Sequence, residues 1–119
     1  MAEYTVLVVE DDPIQRRQIA RALLKAGYEV SEASDGLEAI SQLDARKTHL
    51  ILTDIRMPCL NGISLLKYIR IFYPKVPVVV VTAYPEDTEE LKPDALLCKP
   101  FGEEDLISWV RYLIKASNP

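Results

Sequence analysis

Five short apolar runs, alternating with segments of helical periodicity, constrain this chain more than any other feature. Thr5 to Val9, Tyr28 to Ala33, His49 to Thr53, Val76 to Val81 and Ala95 to Cys98 are rich in β-branched and aliphatic residues, and several are nearly unbroken. Strands apolar on both faces must be covered on both faces. The pattern therefore predicts an α/β architecture, a doubly wound parallel sheet with helices above and below it. The 119 residues hold five β/α units and little more, so residues 1–119 read as a single domain.

The intervening segments carry recognisable helix signals. Asp12 and Pro13 suit the cap and first position of a helix reaching about Ala26, with Gly27 as its stop. Ile14, Ile19, Ala20, Leu23 and Leu24 form its apolar positions, while Arg16, Arg17, Arg21 and Lys25 are expected to face water. Asp35 and Glu38 suggest a capping box ahead of a helix with Leu37, Ile40 and Leu43 on its apolar stripe. Asn61 and Gly62 open a third helix carrying Ile63, Leu65, Leu66, Ile69 and Ile71, closed before Pro74. Glu103, Glu104 and Asp105 place negative charge in the first turn of a last helix running through Trp109 to Lys115. Ala116 to Pro119 is expected to fray.

Composition removes several function classes. A net charge of -4, from 14 basic and 18 acidic residues, provides no positive field for direct nucleic-acid binding. The longest apolar runs are far too short to span a bilayer, and Met1 to Glu10 lacks the basic start and cleavage site of a signal peptide. A cytoplasmic location with no membrane partner is expected. Cys59 and Cys98 lie far apart with no CxxC or Cys/His cluster, which predicts reduced thiols rather than a disulfide or a zinc site.

Doubly wound sheets bind ligands outside the carboxyl ends of their strands, near the reversal of strand order. Those ends carry Glu10, Asp11 and Asp12, then Asp54, then Thr82, then Lys99. Converging carboxylates repel one another, which serves stability poorly but suits a hard divalent cation, and magnesium fits an all-oxygen site. A carboxylate beside that cation can attack a phosphoryl group. An ammonium and a hydroxyl donor then help to balance charge on the equatorial oxygens, and Lys99 and Thr82 are of the right chemical types. Singly, each residue has a plainer reading: Glu10 and Asp11 as a solvated loop and cap, Asp54 as a turn cap, Lys99 as a surface lysine, Thr82 as a strand end. Their convergence at one edge favours the chemical reading. His49 has no partner in sequence and reads as a strand-edge residue.

In the stretches VLVVEDDP, LILTDIRMPCLNG, VVVVTAYP and LLCKPF, the chain resembles the response-regulator receiver family along its whole length. The resemblance implies a flavodoxin-like five-stranded sheet of order 2-1-3-4-5. It implies that Asp54 is the phosphoryl acceptor and that Asp11, Asp54 and the backbone carbonyl of Arg56 ligate Mg2+, with Glu10 acting through a water. Asp12 falls just past the usual acidic pair and keeps its role as a cap. Lys99 would contact the phosphoryl group, its bond to Pro100 would be cis, and Arg56 and Tyr84 would tune phosphoryl lifetime. The implied partners are a sensor histidine kinase or histidine phosphotransfer protein upstream and an effector domain or protein downstream. The chain would be a phosphoacceptor with weak self-catalysed chemistry rather than a true enzyme.

Other classes fit less well. An aspartate-nucleophile phosphatase of the haloacid dehalogenase type needs a second aspartate two residues after the first, where this chain has Arg56. A nucleotide-binding module lacks both GxGxxG and GxxxxGK[ST]. A receiver-fold interaction module not regulated by phosphorylation has no use for the complete acidic site. The chain departs from the family in one segment. The 16 residues between Thr82 and Lys99 must hold a loop, the fourth helix and a strand, yet Pro85 and Pro93 bracket the run EDTEELK, in which only Leu91 is apolar. The fourth helix is expected to be short or irregular and mobile. Leu96 stands where the family carries its switch aromatic, so signalling by aromatic rotation, or by the family's usual dimer across that face, is not expected.

Overall fold

The computed structural model describes residues 3–88 and 91–118. Five parallel strands, β1 (Thr5–Val9), β2 (Glu29–Ala33), β3 (Leu50–Thr53), β4 (Val78–Thr82) and β5 (Ala95–Cys98), lie in the order β2-β1-β3-β4-β5. Helices α1 (Pro13–Lys25), α2 (Gly36–Ala45), α3 (Gly62–Phe72) and α4 (Glu103–Ser117) cover the sheet. Alternate residues of the central strands point to opposite faces, which splits the core in two. Val6, Val8, Leu50, Leu52, Val79 and Val81 meet Ile19 and Leu23 of α1 and Leu106 and Val110 of α4. Leu7, Val9, Ile51, Val78 and Val80 meet Ala39 and Leu43 of α2 and Leu65, Leu66 and Ile69 of α3.

The caps follow the expected chemistry. The Asp12 carboxylate accepts from the N–H of Ile14 at 2.9 Å and of Gln15 at 3.4 Å, and Asn61 accepts from the N–H of Ser64 at 3.0 Å. Asp35 accepts from the N–H of Glu38 at 2.8 Å, but the reciprocal half of the box is replaced by Ser34 donating its hydroxyl to Glu38 at 2.8 Å. Gly27 ends the first helix at φ +99°, the left-handed region glycine adopts without a Cβ penalty.

Several local expectations are corrected. β4 starts at Val78 rather than Val76, because Pro77 has no N–H and the N–H of Val78 is taken by the Asp94 carboxylate at 2.7 Å. Ile14, Leu24, Leu37 and Ile71 are exposed, since each helix lays down a stripe narrower than its full set of apolar residues. Ala116 and Ser117 stay helical, with Asn118 closing the end through hydrogen bonds from its N–H and side-chain amide to the Ile114 carbonyl. Pro119 lies outside the described residues.

Among the described residues, the segment after β4 forms a 3-10 turn, Pro85–Thr88. Glu89 and Glu90, part of the run expected to form a short helix, lie outside the described residues, and Leu91 packs against the core formed with α2 and α3. No described helix is long and apolar enough to cross a membrane.

Candidate functional site

Strand order reverses between β1 and β3: the chain moves outward from β1 to β2, then returns past β1 to β3. At that crevice the carboxyl end of β1 delivers Glu10 and Asp11, and the end of β3 delivers Asp54. One carboxylate oxygen from each of Glu10, Asp11 and Asp54 lies within 4.8 Å of the others. Asp11 is exposed, whereas Glu10 is only 2% and Asp54 8% accessible.

Asp54 is held at both oxygens. Oδ1 accepts from the N–H of Ile55 at 2.6 Å, and Oδ2 accepts from Lys99 Nζ at 2.7 Å. Lys99 follows β5, and its peptide bond to Pro100 is cis as expected. Its ammonium also donates to Glu10 at 3.3 and 3.4 Å. Burial opposes the charge on Lys99, but its hydrogen bond to Asp54 and the fields of Glu10 and Asp54 outweigh it and hold its pKa above the usual lysine value.

Glu10 bears the strain of the cluster. Burial, then hydrogen bonding to Asp54 and repulsion from it, push its pKa from 4.5 to about 7, against the opposing pull of Lys99. One ammonium does not neutralise three carboxylates, and an all-oxygen set with a destabilised anion is the setting in which a hard cation binds well. These residues fit Mg2+.

The loop after β3 packs against Asp54. Gly62 donates its N–H to the Ile55 carbonyl at 2.8 Å, and a Cβ on Gly62 would fall 2.2 Å from the carbonyl oxygen of Asp54. Close approach, rather than an unusual backbone angle, is why glycine is needed there. Thr82 is fully buried at the end of β4, and its Oγ1 accepts from the N–H of Tyr84 at 2.9 Å. The Arg56 guanidinium stacks on the Tyr84 ring at 3.4 Å from the centroid and donates to Asp87 at 2.9 Å. Leu96, on β5, pairs with Val80 of β4 and is 38% exposed.

Two residues escaped the sequence reading. Gln15 Oε1 accepts from Lys99 Nζ at 2.8 Å, and Arg16, expected to face water, donates to the Glu10 carbonyl at 2.8 Å and to Glu32 at 3.2 Å. The available signal was their place in the first turn of the helix that follows an acidic strand end. His49, expected to be a strand-edge residue with no catalytic partner, accepts from the N–H of Thr5 through Nδ1 at 3.0 Å and packs edge-on against Tyr4. Burial, reinforced by Lys47, lowers its pKa, in keeping with a structural role.

The family model for the response regulator receiver domain matches residues 6–111. This chain belongs to that family. The receiver domain is 38% identical over 117 residues to the transcriptional regulatory protein CpxR homolog of Haemophilus influenzae, covering 93% of this chain and 51% of that protein. It superposes with a TM-score of 0.89 on the receiver domain of the Francisella response regulator 1452, at 30% identity, covering 98% of this chain and 100% of the other. The response regulator TrrA of Thermotoga maritima, solved in complex with Mg(2+)-BeF, superposes with a TM-score of 0.85 at 28% identity, covering 92% and 98% of the two chains. The receiver domain spans about half the length of the curated relatives it matches.

Proposed function

We propose that this receiver domain is a phosphorylation-controlled switch of a two-component relay, in which Asp54 accepts a phosphoryl group from a phosphohistidine on a sensor histidine kinase or histidine phosphotransfer protein. The observation that carries this reading is the convergence of Asp54 with Glu10, Asp11 and Lys99 at the β1/β3 crevice. A carboxylate oxygen of Asp54 attacks phosphorus, the phosphorus–oxygen bond forms, and the phosphorus–nitrogen bond breaks with its electron pair leaving on the imidazole. Asp11, Asp54 and the Arg56 carbonyl would hold Mg2+, with Glu10 acting through a water. When bound, the ion supplies positive charge beside the transferring group.

Lys99 balances charge on the phosphoryl oxygens, and the buried Thr82 hydroxyl is a donor to them. Arg56 and Tyr84, stacked on each other, slow attack by water on the aspartyl phosphate. The chain acts as one domain, 1–119, in the cytoplasm, with only weak self-catalysed phosphorylation and dephosphorylation, and passes the signal to an effector domain or protein. The phosphatase alternative is disfavoured because Arg56, at the position of the needed acid, is a guanidinium paired with Asp87.

Intact mass after incubation with acetyl phosphate and magnesium tests the reading. One phosphoryl group is expected on the unmodified chain, none on Asp54→Asn, and none in excess chelator. Equal labelling of Asp54→Asn, or labelling indifferent to the metal, overturns it.

A further inference from the structure

The Lys99 ammonium has three protons and three partners: Asp54 at 2.7 Å, Gln15 at 2.8 Å and Glu10 at 3.3 Å. Gln15 differs from the other two in being neutral. Its orientation is dictated from both ends, since an ammonium can only donate and a carboxylate can only accept. Oε1 must therefore face Lys99, while Nε2 donates to Asp12 Oδ2 at 3.1 Å. Asp12 is itself fixed as the cap of α1, so the chain Asp12, Gln15, Lys99 ties the start of α1 to the end of β5.

We infer that Gln15 is a positioning residue, which keeps Lys99 aimed at Asp54 when the carboxylates turn to other partners. The inference rests on the function proposed above. A divalent cation draws on Asp54 and Glu10, and a phosphoryl group changes the charge and shape of Asp54, so two of the three tethers of Lys99 loosen during the reaction. The amide oxygen of Gln15 lies outside the acidic cluster and remains available. Gln15 touches neither the acceptor nor the transferring group and acts through Lys99 alone.

A double-mutant cycle between Gln15→Met and Lys99→Met, two side chains of similar length without the hydrogen bond, tests this in two readouts. The first is the rate of Asp54 labelling by acetyl phosphate. Gln15→Met is expected to slow it about tenfold, the scale of a hydrogen bond to a charged group, and to change it less than about twofold once Lys99 is Met. The second is the urea midpoint of the metal-free protein, where the two substitutions are expected to be non-additive. An unchanged labelling rate in Gln15→Met, or a slowing that persists undiminished in the Lys99→Met background, overturns the inference. If the unmodified chain takes no label at Asp54, the functional reading fails, and additive urea midpoints then independently remove the contact on which the inference stands.

Discussion

Glu10 gives the most quantitative expectation. Its pKa lies at about 7 in the folded, metal-free protein against 4.5 for an unperturbed glutamate. A group whose folded pKa is raised contributes stability that is fully present below its unfolded pKa and is lost as pH climbs through the folded value. For Glu10 that window runs from 4.5 to about 7. At about 1.4 kcal/mol per pKa unit, the loss amounts to no more than about 3.5 kcal/mol. The physical cause is that a buried carboxylate must ionise beside Asp54, with Lys99 already engaged by that same aspartate. Urea unfolding in chelator, at several pH values from 4.5 to 8, measures the effect when the unmodified protein is compared with Glu10→Gln. The glutamine stays neutral throughout, so the difference between the two proteins reports Glu10 together with the groups it interacts with, Asp54 and Lys99, and cancels the remaining titrating groups. The stability of the unmodified protein relative to Glu10→Gln is expected to fall by about 2–3 kcal/mol over the range. Magnesium is expected to reverse most of that fall, because the cation stabilises the ionised form. A difference that stays flat with pH would refute the claim that burial and Asp54 raise Glu10, and a magnesium-insensitive fall would refute the link to the metal.

Three further outcomes are expected. Gly62→Ala drives a methyl group to within 2.2 Å of the Asp54 carbonyl oxygen and should destabilise the fold by about 1–3 kcal/mol in urea titration, while also slowing Asp54 labelling; an alanine variant as stable and as fast as the parent would show that the loop yields freely. Replacing Arg56 and Tyr84 together with alanine should shorten the half-life of the aspartyl phosphate, followed by loss of mass label, and an unchanged half-life would remove the shielding role. Hydrogen exchange should show rising protection across Tyr84 to Pro93 on adding beryllofluoride with magnesium, since that segment hangs from Thr82 through Tyr84 and is anchored in the core by Leu91. Equal protection in both states, or a dimer formed across that face, would argue against signalling by ordering of the segment.

Much of the fold was legible in the order of residues because its strongest signals are local. β-branched runs mark buried strands, and Asp12, Asp35, Asn61 and Gly27 act on backbone groups within a few residues of themselves. The acidic cluster was legible for a related reason: in a parallel doubly wound sheet every strand ends at the same edge, so the residues after β1, β3 and β5 converge once the topology is recognised. The proline-bracketed run after Thr82 likewise pointed to a short or irregular fourth helix, and among the described residues it begins with a 3-10 turn, Pro85–Thr88.

What tertiary structure alone decided depends on distances between segments remote in the chain. Their place in the first turn after an acidic strand end marks Gln15 and Arg16 as neighbours of the site, but it does not show that Gln15 will bond to Lys99, which lies 84 positions away, or that Arg16 will bind the Glu10 carbonyl instead of water. The raised pKa of Glu10 is likewise a property of its surroundings, since the residue is ordinary until burial removes water and Asp54 approaches. The helix stripes show the same division. Periodicity marks Ile14, Leu24, Leu37 and Ile71 as apolar at roughly helical spacing, but only the packed sheet determines how wide a stripe it can cover, and it leaves these four in solvent. Sequence thus determined which elements form and which groups meet at the strand ends, because those follow from local chemistry and topology. The charge state and orientation of those groups were left to three-dimensional packing, where a few ångströms set the balance between desolvation and pairing.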